Sequence, residues 1–184
     1  MIFIPQSIPD VMLIKPTKIA DDRGYFAETF RKDLFEKEIG YKVDFLQDNE
    51  SKSTKGVLRG LHYQIPPYMQ AKLVRVISGS VLDVALDIRK SSPTFGKHVS
   101  AKLTEENMHQ LFIPRGFAHG FVVLSDSAIF SYKVDNKYAA NYDKGIFYAD
   151  KDLDIDWHFE EKDLKLSKKD INQAPFLDFN DNLD

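Results

Sequence analysis

The chain has 184 residues, of which 43% are hydrophobic and 29% charged, a balance that predicts one soluble globular domain with enough apolar material for a core. Its 25 Lys and Arg residues nearly balance 28 Asp and Glu, so the net charge of -3 gives no general attraction to nucleic acid or to anionic lipid. The absence of cysteine excludes disulfides, thiolate chemistry and cysteine-based metal sites.

The first ten residues carry neither a basic segment nor a long apolar stretch, so we expect no signal peptide. No later segment is apolar over the length of a membrane span. We therefore expect a cytoplasmic protein that binds neither membrane nor nucleic acid polymer.

Short β-favouring segments alternate with turn signals along most of the chain. Asp21-Asp22-Arg23-Gly24 predicts a turn, with strands expected at 11–14 and 25–30. Helical spacing over 31–40 predicts a short helix that ends at Gly40. Further strands are expected at 43–49, 57–64, 71–78, 80–88, 98–103, 108–113, 117–124 and 128–134.

This succession of short strands predicts an all-β antiparallel sandwich or barrel with a few short helices. Ser167 is expected to be the N-cap of one such helix near Asp170. We expect a single domain over residues 1–184. The acidic run at 180–184 closes the chain, and about the last 10 residues are expected to be frayed.

The segment 56–64, Gly-Val-Leu-Arg-Gly-Leu-His-Tyr-Gln, places a cation and an imidazole in a β-favouring context. Strict alternation along a strand would put Arg59 and His62 on opposite faces. Gly60 between them fits a bulge or a close backbone approach that would bring both side chains to one pocket. Such a pocket would hold an anionic group beside a base that titrates near neutral pH. The alternative is an Arg and a His on a half-exposed strand.

Two segments, 56–62 and 114–119, resemble parts of the two cupin motifs and favour a jelly-roll fold. In metal-binding cupins the first motif continues His-x-His and then an acid. Here Gln64 stands at the second His position, and Pro-Pro-Tyr-Met at 66–69 replaces the acid. Two imidazoles without a third nitrogen and a carboxylate make a poor divalent-metal site, so we expect no metal. The histidines are then either hydrogen-bonded core residues or acid–base groups.

Six motifs occur in order: GVLRGLHYQ at 56–64, QAKLVRV at 70–76, GSVLDV at 79–84, DIRKSSPTFG at 87–96, PRGFAHGF at 114–121 and SKKD at 167–170. Together they resemble the dTDP-4-dehydrorhamnose 3,5-epimerase family, with similarity from about Ile14 to Asp170. This family is a jelly-roll, cupin-like homodimer that needs no metal or nucleotide cofactor. The resemblance implies inversion of C3 and C5 of dTDP-4-dehydro-6-deoxy-D-glucose, which gives dTDP-4-dehydro-L-rhamnose in dTDP-L-rhamnose biosynthesis.

The resemblance also assigns four residues to the chemistry. The C4 ketone of the sugar acidifies the hydrogens at C3 and C5, so inversion needs a base, an acid on the opposite face and a cation at the enolate oxygen. His62 matches the base, which suits proton abstraction near pH 7, and Asp170 matches its carboxylate partner. Lys72 matches the cation, and Tyr132 matches the acid. Without the resemblance, Asp170 would be interpreted as a surface acid and Tyr132 as a core residue.

Further positions match the substrate contacts of the family. They are Arg23 and Arg59 for the diphosphate with Lys169 nearby, Gln47 and Asn49 for thymine and phosphates, Phe26 and Glu28 in the nucleotide pocket, and His119 beside the sugar. In this family the residues after the Arg23 turn reach the neighbouring subunit's site. The resemblance therefore implies a homodimer with residues exchanged near the active site.

One segment departs from the family pattern. Residues 138–145 read Tyr-Ala-Ala-Asn-Tyr-Asp-Lys-Gly, where the family usually has Tyr-Ala-Pro-Glu-x-Glu-x-Gly. Asp143 thus replaces a glutamate contact, and Ala140 replaces a proline that would stiffen the loop.

Two other functions stay open. One is an epimerase that inverts only C3 or C5 of another 4-keto-6-deoxy sugar nucleotide, since the same base and acid serve one inversion or two. The other is a non-catalytic, cupin-like module that binds a sugar nucleotide. The full set of base, acid and enolate groups speaks against the module, because a pure binder has no need of a base opposed to an acid.

Overall fold

Two antiparallel sheets and a separate hairpin make up the fold in a computed structural model that describes residues 1–183. The strands in chain order are β1 (Ile2–Pro5), β2 (Met12–Lys15), β3 (Lys18–Asp21), β4 (Gly24–Ala27), β5 (Gln47–Thr54), β6 (Leu58–Gln64), β7 (Lys72–Ser78), β8 (Ser80–Asp87), β9 (His98–Thr104), β10 (Gln110–Ile113), β11 (Phe117–Val123), β12 (Ser127–Val134) and β13 (Asp143–Gly145). The helices are α1 (Lys32–Ile39) and α2 (Lys168–Ile171), with 3-10 turns at Ala140–Tyr142, Glu161–Asp163 and Phe176–Asp178.

The six-stranded sheet has the order β1-β2-β10-β7-β12-β5, and the five-stranded sheet has the order β13-β6-β11-β8-β9. The hairpin β3–β4 forms a two-stranded sheet of its own. The predicted all-β class with a few short helices is confirmed. α1 lies where the sequence predicts a helix, and Gly40 ends it with a φ of 86°, a conformation that glycine adopts without strain.

Three apolar clusters hold these layers together. The first fills the space between the two sheets and joins Val74 and Phe130 of one sheet to Ala85 and Phe121 of the other. The second covers the outer face of the five-stranded sheet with the chain after β13, including Trp157. The third lies under α1 on the outer face of the six-stranded sheet. Both outer faces are therefore covered. Buried polar side chains, among them Lys72, Asp83 and His119, share the space between the sheets with the first cluster.

Some predicted elements differ from the structure. β1, β3 and β13 were not predicted, and the strand predicted at 43–49 is replaced by β5, which runs from Gln47 to Thr54. β5 is an edge strand of mostly polar residues that alternate between partly buried and exposed, so its apolar content gives little signal.

The expected fraying of the C-terminal segment stays a prediction, although residues of this segment up to 183 make specific contacts. The Asp181 carboxylate accepts hydrogen bonds from the Tyr63 hydroxyl at 2.7 Å and from the Lys144 ammonium at 2.6 Å. Leu183 is only 2% exposed in the outer apolar cluster. Asp184 lies outside the described residues. These contacts pack the segment on β6 and β13.

A β-bulge at Gly60 decides which way the β6 side chains face. His62 pairs with His119 of β11, but Arg59 pairs with Phe121, so Gly60 and Leu61 together oppose Gly120. A Cβ on Gly60 would lie 2.4 Å from the Gly120 Cα atom, and Gly60 has a φ of 133°, so only glycine fits there. The bulge expected from the sequence is thus present.

The bulge turns Arg59 and His62 to the same face. Leu58 and Leu61 belong to the outer apolar cluster. Arg59 instead points between the sheets, where its guanidinium donates to the Ser53 hydroxyl of β5 at 3.1 and 3.2 Å. The exposed guanidinium and the partly buried imidazole therefore lie on the same face of β6, toward the other sheet.

Candidate active site

The first element of the site is a bond between His62 on β6 and Asp170 on α2. The His62 Nε2 atom lies 2.6 Å from Asp170 Oδ1. Asp170 is buried, while His62 is partly open to the interior. The geometry brings together the two residues that the sequence assigns as base and carboxylate partner.

Local structure explains how α2 delivers this carboxylate. Ser167 is the N-cap, as predicted, and forms a capping box in which its side chain accepts from the Asp170 N–H and Asp170 accepts from the Ser167 N–H. The Ser167 hydroxyl also donates to Asp170 Oδ2 at 2.5 Å, and the Gly60 N–H donates to Oδ1 at 3.3 Å. α2 is thus fastened to the bulge of β6.

These contacts keep the Asp170 carboxylate charged. Burial alone would raise its pKa, but hydrogen bonds from His62 and Ser167 outweigh that effect and lower the pKa to about 2. Because Asp170 is then an acceptor at neutral pH, the His62 proton resides on Nε2. The Nδ1 lone pair of His62 is left free to take a proton.

A second imidazole–carboxylate pair lies beside the first. His119 Nε2 is 2.9 Å from Asp83 Oδ2, and both side chains are buried. Burial lowers the pKa of His119, although the Asp83 charge opposes this shift. Asp83 Oδ1 is the one buried side-chain polar atom among residues 1–183 without a hydrogen-bond partner. Such an atom is costly to bury, so it marks a place for a ligand hydroxyl or a water.

Asp83 is not among the site residues predicted from the sequence. It lies in the strand Ser-Val-Leu-Asp-Val-Ala-Leu-Asp of β8, in the motif GSVLDV that helped to identify the family. The available signal is an acid in the middle of the apolar run Val81 to Leu86, since a carboxylate buried there needs a specific partner.

Lys72 at the start of β7 supplies a buried cation, with its residue only 9% exposed. Burial lowers its pKa to about 8, while the Asp143 and Asp83 carboxylates act to raise it and Lys169 acts to lower it. The ammonium therefore still predominates at neutral pH and is held among acidic groups at the interior face.

Tyr132 lies on β12, opposite Asn49 in the β5–β12 ladder. Burial raises the pKa of its phenol, Asp143 adds to this shift, and Arg59 and a hydrogen bond with Asn49 oppose it. Tyr132 consequently carries its proton at neutral pH, as a proton donor must. Asn49 in turn accepts from the Gln47 amide at 2.7 Å.

We call the residues around this space the interior cluster: His62, Lys72, Asp83, His119, Tyr132 and Asp170. Asp143 lies at its rim on β13, where it accepts from the Lys169 ammonium at 2.5 Å and from the Tyr138 hydroxyl at 2.9 Å. The structure therefore brings Asp143 and Lys169 together as an ion pair. It also places Arg59 near Tyr132.

The structure does not bring three of the predicted binding residues to this cluster. The β3–β4 hairpin contains Arg23 in its turn and Phe26 in β4, and Glu28 directly follows it. The Arg23 side chain is 86% exposed and bonds to Asp21, Phe26 is 69% exposed, and Glu28 is 4.0 Å from Arg31. Their roles in binding stay predictions.

A groove of about 830 Å³ lies apart from the interior cluster, near α1 and the ends of β2 and β10. Tyr41, Arg89 and Arg115 are among its lining residues, and none of the residues assigned to chemistry or substrate lines it. Volume alone therefore does not identify the site; the paired titratable groups do.

Comparison with known proteins decides the family. The model of the family dTDP-4-dehydrorhamnose 3,5-epimerase matches residues 5–178. A curated dTDP-4-dehydrorhamnose 3,5-epimerase from Shigella flexneri is 55% identical over 175 residues, which cover 95% of this chain and 96% of that protein. The chain belongs to the dTDP-4-dehydrorhamnose 3,5-epimerase family. The family and the epimerase class expected from the sequence are confirmed.

Solved epimerase structures share the fold. The enzyme from Legionella pneumophila, in complex with dTDP-4-keto-L-rhamnose, aligns with a TM-score of 0.93 and 44% identity, covering 97% of this chain and 94% of that one. A 3'-monoepimerase from Streptomyces bikiniensis, in complex with dTDP-quinovose, aligns with a TM-score of 0.85 and 33% identity over 93% of this chain and 86% of that one. The cupin-like jelly roll is thus confirmed, and the same fold also serves a single-centre enzyme.

The described residues contain neither a cluster of metal ligands nor a membrane-spanning helix. Within residues 1–183, no group of three or more His, Asp or Glu side chains is arranged to hold a metal ion. No helix in the same range has the length and apolar character needed to cross a membrane.

Proposed function

We propose that this chain inverts C3 and C5 of dTDP-4-dehydro-6-deoxy-D-glucose to give dTDP-4-dehydro-L-rhamnose, with His62 as the base. The observation that carries the proposal is the 2.6 Å bond between His62 Nε2 and the buried, charged Asp170. This bond fixes the tautomer and stabilises the imidazolium that forms when His62 takes a proton. A module that only binds a sugar nucleotide gains nothing from such a pair.

Each inversion begins with proton removal next to the ketone. The His62 Nδ1 lone pair takes the proton from carbon, and the electrons of the C–H bond become the C=C bond of an enolate with its charge on the C4 oxygen. The Lys72 ammonium is the cation that would stabilise this oxygen. A preorganised charge in a buried site can be worth about 3 kcal/mol to such an intermediate.

Reprotonation from the other face completes the inversion. The Tyr132 hydroxyl donates its proton to the carbon, and the enolate electrons return to form the new C–H bond and the ketone. Tyr132 is left as a phenolate near the Arg59 guanidinium, whose positive charge favours that form. Exchange with solvent then returns a proton to Tyr132 and removes one from His62.

Proton exchange with solvent gives a direct test of this proposal. The chain is incubated with dTDP-4-keto-6-deoxyglucose in deuterated water without added metal, and the product is analysed by NMR. We expect deuterium at both C3 and C5 with inverted configuration. Deuterium at one centre alone would favour the single-centre alternative. The Streptomyces bikiniensis 3'-monoepimerase, which shares the fold of this chain, is an example of such an enzyme. Binding of dTDP without any exchange would favour the binding module.

We further propose that the chain is a homodimer in which the β3–β4 hairpin completes the partner's site. The hairpin is joined to neither large sheet, and it exposes Ile19, Tyr25 and Phe26. β5 ends the six-stranded sheet on the side that carries Asn49 and Ser53, so its outer edge is open to another strand. The binding roles of Arg23, Phe26 and Glu28 depend on this exchange.

Mixing two inactive variants tests the exchange of residues. Arg23→Ala and His62→Ala chains are each expected to be nearly inactive alone. In a mixed dimer one site has an intact His62 and receives an intact Arg23 from the partner, so remixing after mild unfolding should restore about a quarter of the wild-type activity. Light scattering should give the mass of two chains. A monomer, or no recovery on mixing, would contradict the proposal.

Three narrower expectations stay predictions: independence from cofactors, the contacts of Gln47 and Asn49 with the nucleotide, and a cytoplasmic location. Cell fractionation would test the last of these.

A further inference from the structure

Gln64 is a buried amide whose hydrogen bonds all go to the main chain. It ends β6, two residues after His62, and is only 6% exposed. Its Nε2 donates to the carbonyl oxygens of Tyr68 at 2.7 Å and Lys137 at 3.2 Å, and its Oε1 accepts from the Ala139 N–H at 2.6 Å. Metal-binding cupins carry a metal ligand at this position. In this chain the residue there instead forms hydrogen bonds to the main chain of two loops.

Two of those three bonds enclose Tyr138. Lys137 and Ala139 are its neighbours in the chain, so Gln64 holds the backbone on both sides of the tyrosine. The side chain of Tyr138 then donates to Asp143 at 2.9 Å. Asp143 is itself the register partner of Gln64 in the β6–β13 ladder. Gln64, Tyr138 and Asp143 therefore form a closed ring of contacts.

This ring borders the interior cluster and the residues that hold substrate. Asp143 also binds Lys169, which immediately precedes Asp170 in α2. The 138–142 segment has alanine instead of the stiffening proline at 140, and Tyr138 is more than half exposed. The amide of Gln64 thus restrains the backbone around Tyr138. Tyr138 in turn bonds to Asp143, the carboxylate predicted to bind substrate.

We propose that Gln64 is a positioning residue of the epimerase, which acts through Tyr138 to hold Asp143 and Lys169 where they bind substrate. The inference rests on the function proposed above. Within the described residues, His62, Lys72 and Tyr132 form no hydrogen bond to Gln64 or Tyr138. The ring acts on Lys72 and Tyr132 only through the charge of Asp143, which raises the pKa of both groups. Loss of Gln64 should therefore weaken substrate binding more than the chemical step.

Steady-state kinetics of Gln64→Ala test the proposal. We expect the KM for the 4-keto sugar nucleotide to rise about tenfold while kcat falls less than about threefold. A merely structural role would give the opposite pattern, because a fraction of misfolded chains lowers kcat at unchanged KM. That result would overturn the proposal.

Gln70→Ala is a matched control. Gln70 also fastens this loop with a side-chain amide, which donates to the Asn136 carbonyl at 2.7 Å, but it does not bond to the residues that flank Tyr138. We expect its KM and kcat to stay within about twofold of wild type. Equal effects of Gln70→Ala and Gln64→Ala on KM would overturn the proposal, because any loop contact would then serve.

A double-mutant cycle identifies the residue through which Gln64 acts. Tyr138→Phe alone should raise KM severalfold, and adding Gln64→Ala should raise it little further. Additive effects, or no effect of Tyr138→Phe, would overturn the proposal. If Gln64→Ala does not fold, Gln64→Glu keeps the shape and the acceptor for Ala139 but loses both donors, and an unchanged KM in that variant would overturn it equally. An inactive wild-type chain would instead contradict the proposed function.

Discussion

His62 and His119 lie directly opposite each other on β6 and β11, and each imidazole is bonded to a different buried carboxylate. The two pairs are not equivalent. Asp170 uses both of its oxygens in hydrogen bonds, whereas Asp83 leaves Oδ1 without a partner. His119 is buried, whereas His62 is partly open to the interior. The pair with the accessible imidazole and the fully satisfied carboxylate is the better base, and the other pair offers a hydrogen-bond acceptor.

The first prediction follows from this difference. His62→Ala should abolish deuterium exchange at both C3 and C5, because no other accessible imidazole is paired with an ionised acid in the interior cluster. The affinity for dTDP, measured by calorimetry, should change little, since His62 is assigned to the sugar. His158→Ala is a suitable control, because His158 pairs with Asp156 at the surface. Exchange at near wild-type rate in His62→Ala would make His62 a core or binding residue.

The second prediction concerns the pH dependence of activity. The Asp83 carboxylate acts to raise the pKa of Lys72, together with Asp143 and against Lys169. Asp83→Asn removes that attraction, so the pKa of Lys72 should fall below its value of about 8. The ammonium would then lose its proton at lower pH. The basic limb of the profile of kcat/KM against pH should therefore shift to lower pH. A profile that keeps its basic limb in place would mean that Lys72 does not supply the charge.

Some of this site can be predicted from the sequence because the signals are local. Gly60 lies between Arg59 and His62 in a β-favouring segment, and a glycine there indicates a bulge that changes the facing of side chains. Ser167 three residues before Asp170 indicates a helix N-terminus. Both features depend on residues close together in the chain.

Other features depend on distant partners and cannot be predicted in this way. The composition of the C-terminal segment indicates fraying, yet Asp181 is held by Tyr63 and Lys144 from far earlier in the chain. Asp83 becomes part of the site only because the β8–β11 pairing brings His119 to it. Alternation identifies a buried face but not which polar groups meet on it.

The third prediction is that chelation leaves activity unchanged. Gln64 occupies a cupin ligand position, but its amide is committed to the Tyr68, Lys137 and Ala139 backbone. Activity after EDTA treatment and gel filtration should equal that of the untreated enzyme. Loss of activity that a single divalent ion restores would change the interpretation of His62 and His119 from acid–base groups to metal ligands.

The last prediction separates the acid from the base. Tyr132→Phe keeps the ring and its packing against Phe130, so the fold should persist with a stability cost of about 1 kcal/mol from one lost hydrogen bond. His62 can still remove and return protons on its own face, so deuterium should enter C3 or C5 with retained configuration. Inverted product should fall by orders of magnitude, because the phenol proposed to deliver a proton to the opposite face is absent.

NMR in deuterated water distinguishes these outcomes, since it reports exchange and configuration at each carbon separately. The persistence of exchange requires that abstraction precedes delivery of the new proton and is kinetically separable from it. Asn49→Ala is a useful companion at saturating substrate, because it removes the hydrogen-bond partner of Tyr132 while keeping the phenol. Loss of its predicted nucleotide contact should raise KM, but kcat for inversion should fall much less than in Tyr132→Phe. If Tyr132→Phe inverts both centres normally, the acid must be another group, and Tyr138 at the rim, already bonded to Asp143, is the next residue to substitute.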